Sequence, residues 1–110
     1  MNDAPSFTDL SPEEAEALLE DPPPNFVLLD VRTPREWAVR RLEGAVLIPI
    51  QEIEKRAHEL DPEAEILVYC AHGHRSVLAA SWLASRGFAK VRNLRGGLAR
   101  WTGPMERGGT

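Results

Sequence analysis

Cys70, the only cysteine among 110 residues, is the side chain with the most chemical potential in this sequence. It opens the segment Cys70-Ala71-His72-Gly73-His74-Arg75-Ser76, directly after the apolar run Ile66-Leu67-Val68-Tyr69. Such a run reads as a strand buried on both faces, and open α/β sheets place their ligand sites beyond the carboxyl ends of strands. The 3.6-residue apolar spacing predicts a helix from Val77 to Arg86, with Gly87 in the C-terminal capping position. The loop between strand and helix is expected to curl around the sulfur. Its inward backbone N–H groups would then form an anion-binding nest. The helix N-terminus adds roughly half a positive charge, and Arg75 adds a full one.

Each of these features favours thiolate over thiol, and the same donors would hold an incoming anion against the nucleophile. Gly73 admits a left-handed backbone, and Ser76 is placed to cap the following helix. Cys70 is therefore the expected nucleophile. Ala71, His72, Gly73, His74, Arg75 and Ser76 are the expected substrate-binding wall. A lone cysteine is more often a small buried hydrophobe, but its place after a buried strand and before a basic, glycine-containing loop outweighs that reading. His72 and His74 fit proton donors, anion binders or plain loop surface. No further ligand cluster accompanies them, so neither a metal nor a cofactor is expected. His58 stands on a predicted helix without a partner motif and reads as solvated.

The remaining elements must bring this loop into place. Ser11-Pro12-Glu13-Glu14 combines a cap, a first-turn proline and a capping-box glutamate, with Ala15, Leu18 and Leu19 on one face and Asp21-Pro22-Pro23-Pro24 as the stop. Phe26 to Val31 predicts a second doubly buried strand. Thr33-Pro34-Arg35-Glu36-Trp37 predicts a capped helical turn, and Val46 to Ile50 a strand stopped by Pro49. Gln51 to Leu60 is expected as a helix. Val91 to Leu94 follows as a last strand, then Gly96-Gly97 and a helical turn reaching Trp101. Strands alternating with helices over short connections define an α/β fold with a mostly parallel sheet covered on both faces.

At this length the chain is expected to be one domain over 1–110, with its core at about 7–101 and a frayed, glycine-rich tail from Thr102. The composition, 43% hydrophobic and 27% charged, is that of an ordinary globular protein. A formal net charge of −4 gives no general case for binding nucleic acid or an anionic membrane. No apolar run approaches the roughly 20 residues of a membrane span. Met1-Asn2-Asp3-Ala4-Pro5 lacks the basic start and apolar core of a signal peptide, so the expected location is the cytoplasm. A single cysteine also excludes an internal disulfide and a cysteine-rich zinc site.

Three blocks together resemble the rhodanese-like sulfurtransferase family over about residues 7–101. They are Leu28-Leu29-Asp30-Val31-Arg32 with Glu36-Trp37 and Gly44-Ala45; Val68-Tyr69-Cys70 through Arg75-Ser76; and Gly87-Phe88 with Val91, Asn93-Leu94, Gly96-Gly97 and Trp101. The resemblance implies a five-stranded, mostly parallel sheet flanked by helices. It also implies covalent catalysis in two steps. The Cys70 thiolate would take the outer sulfur of a donor such as thiosulfate as a persulfide. A thiophilic acceptor (cyanide, a thiol or a protein) would then remove it. In this pattern the backbone from Ala71 to Ser76 is the cradle, and Arg75 stabilises the anionic donor. Asp30 and Arg32 are expected to tie loops together, and Trp37 and Trp101 to pack in the core or at the rim.

The sequence departs from the family pattern at two places. Arg40-Arg41-Leu42-Glu43 fills a stretch that often holds Gly-His, an aliphatic residue and proline. Ala71 occupies a loop position that is often arginine, which leaves room for another donor. Two other functions share parts of this logic. Cysteine-dependent phosphatases and arsenate reductases place five residues between cysteine and arginine, whereas four separate Cys70 from Arg75. A non-turnover sulfur relay or interaction module would keep the cysteine and serve one protein partner.

Overall fold

The computed structural model describes residues 6–107. The signal-peptide reading of Met1 to Pro5, and the last three residues of the expected tail, lie outside them. The strands are β1 (Thr8–Leu10), β2 (Phe26–Asp30), β3 (Arg40–Arg41), β4 (Val46–Leu47), β5 (Glu65–Tyr69), β6 (Lys90–Leu94) and β7 (Glu106–Arg107). The α-helices are α1 (Pro12–Glu20), α2 (Pro34–Val39), α3 (Ile53–Arg56) and α4 (His74–Ser85). Five strands form one parallel sheet in the order β1-β6-β5-β2-β4, and β3 pairs antiparallel with β7 beside it. The expected α/β architecture is present.

The central strands alternate their side chains between two cores, which is why they read as unbroken apolar runs. Leu29, Val31, Ile66, Val68 and Cys70 face Ile53 of α3 and Ala79, Ala80 and Leu83 of α4. Leu28, Leu67 and Tyr69 face the other way, toward Ala15 of α1, Leu98 and Trp101. Cys70 is thus the last residue of one inward-facing row, one step past the end of β5. Burial of these rows, at about 25 cal/mol per Å² of apolar surface, fixes the height at which the sulfur stands.

Local signals explain the helix starts. Ser11 and Glu14 exchange the two bonds of a capping box at the start of α1. Thr33 and Glu36 repeat it at α2, each helix having proline in its first turn. Gly87, at φ +94°, occupies the left-handed position just after the C-cap Arg86 of α4.

Four expectations need correction. The strand predicted over Val46 to Ile50 is only Val46–Leu47, because Pro49 has no N–H and Ile50 already begins a 3₁₀ turn. The helix predicted over Gln51 to Leu60 is a succession of 3₁₀ turn (Ile50–Glu52), α3 and 3₁₀ turn (Ala57–Glu59). Helix α4 begins at His74, three residues before the predicted start, so Arg75 and Ser76 lie in its first turn. The segment from Thr102 is not wholly frayed. Glu106–Arg107 pairs with Arg40–Arg41, Arg41 Nε meets Glu106 at 3.2 Å, and Trp101 Nε1 donates to the Pro104 carbonyl at 3.2 Å.

Candidate active site

The sulfur of Cys70 sits in a ring of donors supplied by the start of α4. The Gly73 N–H donates to Sγ at 3.0 Å and the Ser76 N–H at 3.3 Å. The thiol lies 3.3 Å from Ser76 Oγ and donates to it; once ionised, the sulfur can receive the hydroxyl proton instead. Gly73 is the N-cap of α4 and Ser76 its third residue, and Gly73 has no side chain to cap the helix. The cysteine sulfur therefore fills the place of a capping side-chain oxygen. Capping and thiolate stabilisation are one set of hydrogen bonds here.

Cys70 is 1% exposed. Burial works against ionisation, but the Ser76 hydroxyl and the N–H groups of Ser76, Gly73 and His72 outweigh it and hold the thiol below its ordinary value. Ser76 was expected to cap the helix with its side chain. It is instead fully buried against the sulfur, because the helix starts earlier and Ser76 faces inward.

The loop holds this shape through backbone contacts with the segment after β6. The Leu98 N–H donates to the Cys70 carbonyl at 3.0 Å and the Ala99 N–H to the Ala71 carbonyl at 2.9 Å. A Cβ on Gly97 would stand 2.5 Å from the Cys70 oxygen and 2.6 Å from the Ala71 carbonyl, and Gly97 has φ +64°. Only glycine permits this contact. Gly73, at φ +96°, faces the Gly96 backbone less closely, 3.1 Å from a notional Cβ, and its left-handed backbone is what favours glycine there. Gly97 carried no site role in the sequence reading, although the Gly96-Gly97 pair was its visible signal.

Glu36 is the other residue that the sequence reading left without a role in the site. Its carboxylate takes both terminal nitrogens of Arg75 at 2.9 Å, a bidentate pair between α2 and α4. The Arg75 hydrogen bonds, reinforced by the Thr33 N–H and hydroxyl, overcome partial burial and lower the Glu36 carboxyl to about 2. Arg75 is thus balanced by a carboxylate, which offsets the full positive charge expected of it beside the sulfur. His72 and His74 are exposed, His74 on the first turn of α4, while Ala71 is half-buried. Among the described residues no group of three or more His, Cys, Asp or Glu is placed to hold a metal.

A buried network braces the neighbouring strand end. Asp30 receives Arg32 Nε at 2.9 and 3.1 Å, Nη2 at 2.6 Å and the Arg32 N–H at 2.9 Å. Arg32 Nη2 also donates to the Arg40 carbonyl at 2.8 Å. The Tyr69 hydroxyl accepts from the Leu42 N–H at 3.1 Å, and burial together with Asp30 pushes its phenol well up. Asp30 and Arg32 do tie loops together. Trp101 packs in the core, and half-buried Trp37 lies under the Arg41 guanidinium, 4.7 Å from its ring centre.

This combination, a buried cysteine at the end of a parallel strand with the N–H groups of a helix start aimed at its sulfur, defines the class as an α/β protein with an anion-stabilising cysteine loop. Residues 11–104 match the rhodanese-like domain family, and the chain belongs to that family. It is 34% identical over 95 residues to the thiosulfate sulfurtransferase GlpE of Pseudomonas fluorescens, covering 86% of this chain and 84% of that protein. It is 43% identical over 79 residues to the putative sulfur carrier protein YrkF of Bacillus subtilis, covering 72% of this chain but only 43% of that protein. A crystal structure of thiosulfate sulfurtransferase from Pseudomonas aeruginosa superposes with a TM-score of 0.82 at 32% identity, over 94% of this chain and 21% of that one. The fold expected from the sequence blocks is therefore the fold of the family. No helix among the described residues is long and apolar enough to cross a membrane.

Proposed function

We propose that this protein is a sulfurtransferase in which Cys70 carries a sulfane sulfur as a persulfide. The observation that carries the reading is the convergence of the Gly73 and Ser76 N–H groups and the Ser76 hydroxyl on one sulfur, in a chain of the rhodanese-like family. In the first half-reaction the Cys70 thiolate attacks the outer sulfur of a donor such as thiosulfate. The donor's S–S bond breaks, sulfite leaves with the electron pair, and Cys70 holds the outer sulfur. In the second, a thiophilic acceptor (cyanide, a thiol or a protein) attacks that sulfur and the Cys70 thiolate leaves. A stabilised thiolate is both the attacking group and the leaving group, so the same ring of donors serves both halves. The backbone from Ala71 to Ser76 is the anion cradle, with the N-terminus of α4 behind it. The clamped Arg75 contributes by holding the first turn of α4 in place.

A steady-state assay with thiosulfate and cyanide tests this directly. Thiocyanate should form by ping-pong kinetics, Cys70→Ser should form none, and aryl phosphates should not be hydrolysed. Cysteine-dependent aryl phosphate hydrolysis without sulfur transfer would replace this reading with the phosphatase one. The likeness to a protein named as a sulfur carrier supports the relay form of the same chemistry. A relay would load one sulfur but turn over small acceptors poorly.

A further inference from the structure

On the α1 face of the sheet, two depressions of about 300 and 270 Å³ adjoin at Leu19 and Glu43, which line both. The first is floored by Leu19, Leu42, Trp101 and Pro104, and the second continues over Phe26, Leu28 and Val46. Leu28, Leu42 and Trp101 belong to the core on this face, whereas Cys70 belongs to the core on the other. The Trp101 indole N–H is taken up by the Pro104 carbonyl at 3.2 Å, so the ring presents only carbon to the groove. Val46 stands on β4, an edge strand of the sheet, and is 45% exposed. Together the two depressions form one apolar groove with room for side chains, far more than a single ion fills.

The rim of this groove carries charge of one sign. Glu16 and Glu20 of α1 and Glu43, between β3 and β4, line it, and no Lys, Arg or His does. None of the three enters an ion pair among the described residues. Surface carboxylates are ordinarily a solvated face, but two of these stand where they oppose folding. Glu16 and Glu20 are four residues apart on one helix, a like-charge spacing that destabilises it. Glu20 is also the last residue of α1, with Asp21 as its C-cap and no basic residue in the last turn. That is the negative end of the helix dipole, where a cation is favoured and a carboxylate is not. The protein therefore holds unrelieved negative charge around an apolar floor.

We propose that this groove docks a basic amphipathic segment of a partner protein. Its apolar side chains would cover Leu19, Phe26 and Trp101, and its Lys or Arg side chains would meet Glu16, Glu20 and Glu43. Long basic side chains suit the site on both counts, since their aliphatic stems cover apolar surface while the charged heads reach the rim. Charge complementarity of this kind steers the encounter and fixes the register of the bound segment. The groove shares no residue with the loop from Cys70 to Ser76. Docking here is therefore independent of the chemistry of Cys70.

The test titrates the full chain, isotope-labelled for NMR, with three synthetic peptides of equal length built from leucine and lysine, serine and lysine, or leucine and glutamate. The leucine–lysine peptide should bind and shift the Leu19 and Glu43 amides and the Trp101 indole, leaving the amides from Ala71 to Ser76 in place. The serine–lysine peptide should bind clearly more weakly, and the leucine–glutamate peptide should not bind. A triple variant, Glu16→Gln with Glu20→Gln and Glu43→Gln, should bind the leucine–lysine peptide about tenfold more weakly, the loss of three exposed charge contacts. Its urea midpoint should rise, because the like charges on α1 are relieved. Equal binding of the serine–lysine peptide, unchanged affinity in the triple variant, or shifts mapped to another face would overturn the proposal. A urea midpoint at or below that of wild type would also count against it, by showing that these carboxylates stabilise the unbound fold. Groove signals that move with the protein's own concentration would assign the groove to a second copy of the chain and overturn it as well.

Discussion

Cys70 combines two properties that usually oppose each other: it is buried, and it is stabilised as an anion. Burial alone makes a thiol inert, so the donors at Gly73 and Ser76 decide its character. Ser76→Ala removes the hydroxyl and leaves both N–H groups. The thiolate absorbance titration should then move to higher pH without returning fully to the ordinary thiol range, and alkylation by iodoacetamide at neutral pH should slow. An unchanged titration would remove Ser76 from the account. The Glu36–Arg75 pair makes a second prediction. The folded pKa of Glu36 is lowered to about 2, against ~4.3 for an unfolded glutamate. Its stabilisation is therefore complete above the unfolded value and lost as pH falls through 4 toward 2. Urea midpoints of wild type and Glu36→Gln should differ above about pH 5 and converge on acidification. A pH-independent difference would contradict the ionised pair.

At the scale of elements, the site is made by an encounter between the start of α4 and the segment that follows β6. The glycines at that encounter set its distance. Gly97→Ala would drive a methyl into the Cys70 and Ala71 carbonyls and impose a left-handed backbone on alanine. A cost of about 1–3 kcal/mol for the backbone strain is expected, read as a lower urea midpoint, together with slower persulfide formation. Full activity in Gly97→Ala would show that the cradle does not depend on this contact. The elements themselves were largely legible in the sequence, because caps such as Ser11-Pro12 and doubly buried runs such as Ile66 to Tyr69 are local signals. The true start of α4 was not. Its N-cap is a glycine, and the capping acceptor is a sulfur from the preceding strand end, a contact that no capping pattern describes. The Glu36–Arg75 pair joins residues 39 positions apart; both were visible, but no local pattern in the Cys70 loop points to Glu36 as the partner of Arg75.

At the scale of the molecule, the parallel sheet puts the ends of β2 and β5 side by side, Asp30 in register with Tyr69. The buried Asp30–Arg32 pair and the Cys70 cradle thereby share one edge of the fold. The short β3–β7 pairing ties the segment carrying Arg40 to the C-terminal residues. That pairing escaped the sequence reading because two-residue strands of charged residues leave no apolar pattern. These elements converge on the claim that Cys70 holds a transferable sulfur, and intact mass spectrometry of the full chain tests it most directly. After brief exposure to thiosulfate, the protein should gain the mass of one sulfur atom, lose it again on addition of cyanide, and show no gain in Cys70→Ser. No gain with thiosulfate or with an alkyl persulfide, or an equal gain in Cys70→Ser, would contradict the account.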